Sequence, residues 1–183
     1  MRQNRAMTST PDHGFQVRRV DPGSPQVQAL VRAHLDFAHR HSPPEDVHAL
    51  AADALAAAEL SVFGATAAGG TALLGIGALR ALDERHAELK SMHVAEAARG
   101  RGVGRAILAH LLAVARARGV GRVSLETGSM AAFEPARGLY VSAGFRPCEP
   151  FGAYAPSPSS TFLRLDLPPD EARGGTQIDG TRP

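Results

Sequence analysis

Apolar positions along the chain follow two rhythms, one of period two and one near 3.6, and their order predicts a mixed α/β sheet. Residues 15–20 alternate as a strand, and Ser24-Pro25 opens a helix reaching about Arg40, a cap residue followed by proline in the first turn. Ser42-Pro43-Pro44 opens a second helix through about Glu59, with Val47, Leu50, Ala54 and Leu55 at helical spacing. Residues 60–67 and 71–82 read as strands joined at Gly69-Gly70, and 86–94 follows as a third after the polar turn Asp83-Glu84-Arg85. A helix then spans about 103–118, its buried stripe marked by Val103, Ile107, Leu111, Val114 and Ala115 and its end by Gly119. Residues 123–127 alternate as a strand, 135–143 form a short helix ended by Gly144, and 145–150 and 161–167 close as strands. The predicted order is β-α-α-β-β-β-α-β-α-β-β, with helices on both faces of the sheet.

Length and composition narrow this to one domain. The chain has 183 residues, 44% of them hydrophobic, which suits a globular body with a real core. Residues 1–13 read as a flexible leader, 14–167 as the folded domain, and 168–183 as a disordered tail rich in Pro, Gly and charge. No apolar run approaches the roughly 20 residues of a membrane span, and the polar N-terminus lacks a secretory h-region, so the expected location is cytoplasmic. A net charge of +2 and 5% aromatics without tryptophan argue against nucleic acid as partner. Cys148 is the single cysteine, which excludes an internal disulfide. His34, His39, His41 and His48 match no standard metal-ligand spacing, so no metal is expected. Lys90 is the only lysine; arginine carries the rest of the positive charge.

The chemistry-bearing stretch is AEAARGRGVGRAI, residues 95–107, between a strand and a long helix. Amides at a helix start lack intrahelical partners and the helix dipole favours negative charge there. Gly100, Gly102 and Gly104 let a phosphate approach those amides, and Arg99, Arg101 and Arg105 add charge able to grip its oxygens. The stretch is no Walker A loop, since lysine and Ser/Thr are missing from the required places, and it is no GxGxxG fingerprint. In the preceding strand the apolar residues fall at 89, 92 and 94. That broken alternation predicts a β-bulge near Lys90–Met92, able to splay the strand from its neighbour and admit a narrow ligand. The same spacing would also arise if Met92 only caps the core.

A strand, an Arg99-x-x-Gly102-x-Gly104 loop, a helix, a strand and then Ala136-x-x-Leu139-Tyr140-x-x-x-Gly144-Phe145 resemble, in that order, the GCN5-related N-acetyltransferase superfamily. The resemblance covers about residues 14–167 and is strongest over 87–146. It implies the fold of that superfamily, a mostly antiparallel central sheet of about six or seven strands flanked by about four helices. It implies acetyl-CoA as co-substrate, with Arg99, Gly100, Arg101, Gly102, Val103, Gly104 and Arg105 around the pyrophosphate. Met92, His93 and Val94 would lie along the pantetheine arm, the Met92 amide serving the oxyanion. Tyr140 matches the family's general-acid tyrosine, although its place in the stripe Ala136, Leu139, Tyr140, Ala143 also suits a core aromatic. Glu88 is the expected base, with a surface carboxylate beside Lys90 as the plain alternative and His93, Glu126 and His86 as competitors.

The expected reaction moves an acetyl group to the primary amine of a small molecule; a non-catalytic acyl-CoA-binding module is the alternative. His39, His41, Ser42, Pro43-Pro44 and residues 151–154 are expected around the acceptor, and a homodimer is what the resemblance suggests. Many family members carry Asn where this chain has Phe133, so no asparagine role is expected.

Overall fold

The structure, a computed structural model, describes residues 14–50, 53–56 and 59–168. The expected leader and nearly all of the expected tail lie outside those residues. Seven strands form one sheet: β1 (Phe15–Arg19), β2 (Leu60–Ala67), β3 (Leu73–Ala81), β4 (His86–Val94), β5 (Arg122–Gly128), β6 (Arg146–Pro147) and β7 (Ser160–Asp166). Their spatial order is β1-β2-β3-β4-β5-β7-β6, and every neighbouring pair is antiparallel except β4 with β5.

Helices cover both faces, as the order of elements predicts. α2 (Val103–Ala117) and α3 (Glu134–Ser142) lie on one side, where Ile107, Leu108 and Leu111 pack with Leu79, Leu89, Leu125 and Phe145. α1 (Pro25–His41) lies on the other, where Val27, Leu30 and Val31 meet Val62, Ile76 and Ala78. The i, i+3, i+4 spacing of those α1 residues turns one stripe to the sheet and leaves its arginines in solvent. None of the helices among the described residues is long and apolar enough to cross a membrane.

Three α-helices are found among the described residues, not about four. The helix expected over 44–59 is replaced by two 3-10 turns, Pro44–Asp46 and Asp53–Ala56; residues 51–52 and 57–58 lie outside the described ones. Val47 is extended at φ −81° and ψ 96°, and the His48 carbonyl accepts a hydrogen bond from Lys90 instead of serving a helical ladder. A tertiary donor has overridden a helical pattern. The strand expected over 145–150 shrinks to β6; Pro147 brings no N–H to it, and the last bond to β7 runs from the Cys148 N–H to the Phe162 carbonyl at 3.1 Å.

The bulge is where the alternation puts it. Ile76 pairs with His93 and Ala78 with Lys90, so Gly77 alone faces both Ser91 and Met92, and Ser91 takes a left-handed φ of 53°. Leu89, Met92 and Val94 thereby all reach the α2 side of the sheet.

Candidate active site

β4 and β5 run parallel and paired only over His86–Leu89 and Arg122–Leu125. Past that point β4 stays with β3 and β5 with β7, so the two strands part and the sheet opens. A cavity of about 950 Å³ fills the opening, walled by Lys90–Val94 on one side and Glu126–Gly128 on the other. Arg137 holds the free end of β5, its Nη1 donating to the carbonyls of Gly128 at 2.6 Å and Met130 at 2.9 Å.

The glycine-arginine loop forms part of the cavity wall. Every residue from Arg99 to Arg105 lines it, as do Met92, His93 and Val94. Gly100 (φ 74°) and Gly102 (φ 89°) are left-handed, and Gly102 is the N-cap of α2 with no side chain capping the helix. The amides of Val103, Gly104 and Arg105 therefore begin the helix without carbonyl partners inside it. A Cβ on Gly100 would meet nothing within 4 Å, and one on Gly102 only Phe15 Cε2 at 4.0 Å. The site has the donors, the positive end of a helix and the open approach that a diphosphate needs. Arg99 is steadied from behind, its Nε donating to the Val94 carbonyl at 3.3 Å and its guanidinium lying 5.8 Å from the Phe37 ring centre.

Tyr140 lines the cavity while packing edge-on to Phe145 at 5.9 Å. Its residue is only 6% exposed, yet its hydroxyl has no hydrogen-bond partner among the described residues. Burial first, then the Glu126 carboxylate, push the phenol well above its ordinary value. It stays protonated, able to give up a proton but not to serve as a base. The core role and the donor role are thus compatible: the ring packs, the hydroxyl is free.

Glu88 does not line the cavity. Its carboxylate is 1% exposed, accepts a 2.5 Å hydrogen bond from the Tyr154 hydroxyl, and lies 3.5 Å from Lys90 Nζ and 3.7 Å from Arg80 Nη1. It is neither a surface carboxylate nor a group open to an incoming amine. Glu126, one of its competitors, does line the cavity. Burial raises the Glu126 carboxyl above the ordinary range, partly opposed by the hydrogen bond that Ser160 Oγ donates to it at 2.8 Å. His93 also lines the cavity but burial, with Arg99 adding to it, brings its pKa down to about 4, so it is neutral and weakly basic.

α1 and the segment after it form another part of the cavity wall. His34, Phe37, Ser42, Asp46 and His48 line it. Phe37 meets Phe133 edge-on at 5.2 Å, so the two rings join α1 to the turn before α3 across the opening. Phe133 also covers Gly128, where a Cβ would fall 2.5 Å from the ring. Of the residues expected around the acceptor, Ser42 lines the cavity and His41 stacks on Phe37 at 4.6 Å, whereas Phe151 and Tyr154 stand outside the lining. His34 and Phe37 carried no site signal in the sequence, because α1 periodicity reads them as ordinary helix positions.

The chain matches the acetyltransferase (GNAT) family over residues 27–145. It is 46% identical over 142 residues to the uncharacterized N-acetyltransferase YsnE of Bacillus subtilis, covering 78% of this chain and 93% of that protein. To the uncharacterized N-acetyltransferase YedL of Escherichia coli it is 43% identical over 153 residues, covering 84% and 95%. Among solved structures, a GNAT family acetyltransferase from Elizabethkingia anophelis with acetyl-CoA bound superposes with a TM-score of 0.60 at 17% identity. That match covers 84% of this chain and 99% of the other.

Proposed function

Because the chain belongs to the acetyltransferase (GNAT) family, we propose that it transfers an acetyl group from acetyl-CoA directly to the primary amine of a small molecule. One observation carries this reading: a single cavity joins the unpartnered amides of the α2 start, the parted strands, and a free buried phenol. The loop from Arg99 to Arg105 holds the diphosphate. Met92, His93 and Val94 border the pantetheine, whose extended chain substitutes for the missing strand partner. Acetyl-CoA supplies an activated carbonyl carbon joined to a good leaving group.

The chain's own residues supply what the transfer still lacks. Glu126 takes a proton from the incoming ammonium; a carboxyl raised by burial is better matched to that task than an ordinary one. The Met92 amide serves the carbonyl oxygen as charge develops on it, a role worth roughly 3–4 kcal/mol where it has been measured elsewhere. The neutral amine nitrogen then bonds to the carbonyl carbon; as the C–S bond breaks Tyr140 gives its proton to the leaving sulfur, and the second proton shed by the nitrogen returns to the phenol through water. Glu88 sits behind this machinery and fixes Tyr154 and Lys90.

Calorimetry with coenzyme A is the first test. Saturable binding is expected, and Gly102→Val should weaken it by about tenfold or more, because a β-branched residue is strained by about 1–2 kcal/mol in the left-handed conformation that aims the loop amides. Protein that ignores coenzyme A at millimolar levels would overturn the reading. A second test separates an enzyme from a binding module: thiol release from acetyl-CoA must rise when primary amines are added.

The base is tested by pH. A carboxylate base works only when deprotonated, so kcat/KM should fall as pH drops through the raised Glu126 value. In Glu126→Gln the rate should be lower throughout and the limb assigned to this group should vanish. An acidic limb that survives the substitution unshifted removes Glu126 from the role.

A further inference from the structure

We infer that the acceptor end of the cavity takes a small amine that also carries a carboxylate, held by Lys90 with Ser91 and the His34–His93 pair. The inference rests on the acetyl-transfer reading and names the acceptor class for it. Its first support is the only lysine in the chain, which lines the cavity while 8% exposed. An ammonium has three N–H donors. Lys90 gives one to the His48 carbonyl at 3.0 Å and one to the Tyr154 hydroxyl at 2.6 Å. The nearest remaining acceptor is Glu88 Oε1 at 3.5 Å, too long for a good hydrogen bond. One donor is left over.

A second observation is independent of the first. Ser91 Oγ is a buried polar atom with no hydrogen-bond partner among the described residues, in a residue that lines the same cavity. Burying such a group unpaired costs about 1–3 kcal/mol, which a ligand atom can recover. His34 and His93 face each other 5.5 Å apart at this wall, and neither ring nitrogen has a partner among the described residues. Burial brings both down to about 4, so near neutral pH each is an uncharged ring with one N–H to donate. Donors without acceptors gather at one place.

Charge selects what they hold. Lys90 is the buried cation of this wall; Arg80, which also stands against the Glu88 carboxylate, has a side chain 40% exposed to water. The spare N–H of a buried ammonium favours an anionic acceptor beside it. A carboxylate brings one charge and two acceptor oxygens to the donors gathered here, whereas a phosphate dianion would bring two charges against one lysine. Glu126 stands on the opposite wall of the opening and Lys90 on β4, so a short zwitterion can set its amine toward one and its carboxylate toward the other.

The test compares free L-amino acids with their carboxamides as acceptors, following thiol release from acetyl-CoA in the wild-type protein and in Lys90→Met. At least one amino acid should exceed its carboxamide in kcat/KM by about ten- to hundredfold, the ratio expected for a hydrogen bond to a charged group. In Lys90→Met that preference should shrink to within about twofold, while coenzyme A binds as in wild type. Carboxamides that serve as well as the acids overturn the inference, and so does a protein that binds coenzyme A but turns over none of the acids. Should Lys90→Met not fold, the wild-type comparison still decides. Failure to bind coenzyme A, by contrast, brings down the acetyl-transfer reading itself.

Discussion

Replacing Tyr140 with phenylalanine is expected to lower kcat by about 10²- to 10⁴-fold, the range for loss of a positioned proton donor. The affinity for coenzyme A should barely change, because the loop proposed to hold the diphosphate, Arg99 to Arg105, is a separate part of the cavity lining. The substitution is clean for a structural reason. The ring packs against Phe145 and sits in the α2-side core, and phenylalanine keeps those contacts. The lost hydroxyl has no partner among the described residues, so no buried group is orphaned by its removal. Since burial holds the phenol above its ordinary value, Tyr140 is a donor across the working pH range and cannot serve as the base. Its loss should therefore lower the plateau of the pH–rate profile without moving the acidic limb. An unaltered kcat would remove Tyr140 from the chemistry and leave it a core aromatic.

The second large effect is on stability. Gly77→Ala should destabilise the fold by about 1–3 kcal/mol, as overpacking of a filled core does. A Cβ there would fall 2.6 Å from Met92 Sδ, 2.8 Å from Ile107 Cγ2 and 3.0 Å from Leu111 Cδ1. Met92 can swing its sulfur, but Ile107 is β-branched and buried in the α2 packing, so part of the clash must pass into the backbone. Gly77 faces the bulge, and Met92, which it would displace, lines the cavity proposed to hold the cofactor. Urea denaturation should show the loss of stability, and calorimetry a weaker grip on coenzyme A. A variant as stable as wild type would mean that the core beneath the bulge is looser than its contacts indicate.

These two residues illustrate different kinds of legibility. Gly77 was invisible in the sequence: a glycine in a strand marks a close approach, but nothing local says what approaches. The bulge opposite it was readable, because a break in period-two alternation at Lys90–Met92 leaves few other ways to keep Leu89, Met92 and Val94 on one face. The glycine-arginine loop was readable for a similar reason. Its amides are bared by the helix start and its glycines by their missing side chains, both local properties of residues 99–105.

Which carboxylate faces the cavity was not readable. Glu88 and Glu126 sit at comparable places in β4 and β5, and alternation puts both on the α1 side of the sheet. What separates them is Tyr154, which folds back from the loop before β7 and takes the Glu88 carboxylate from 66 residues away. The lost second helix has the same origin. Val47, Leu50 and Leu55 have helical spacing, but Lys90 Nζ, 42 residues distant, claims the His48 carbonyl.

The sequence by itself determined the order of the strands, the bulge, and the bared amides of the glycine-arginine loop, since each follows from periodicity or from the backbone freedom of a few adjacent residues. Only the tertiary structure decided which carboxylate meets the cavity, how many helices form, and that Lys90, Ser91 and two histidines line one cavity. Those outcomes depend on hydrogen bonds between segments 40 to 70 residues apart, and local pattern carries no information about which distant donor will reach which carbonyl or carboxylate first.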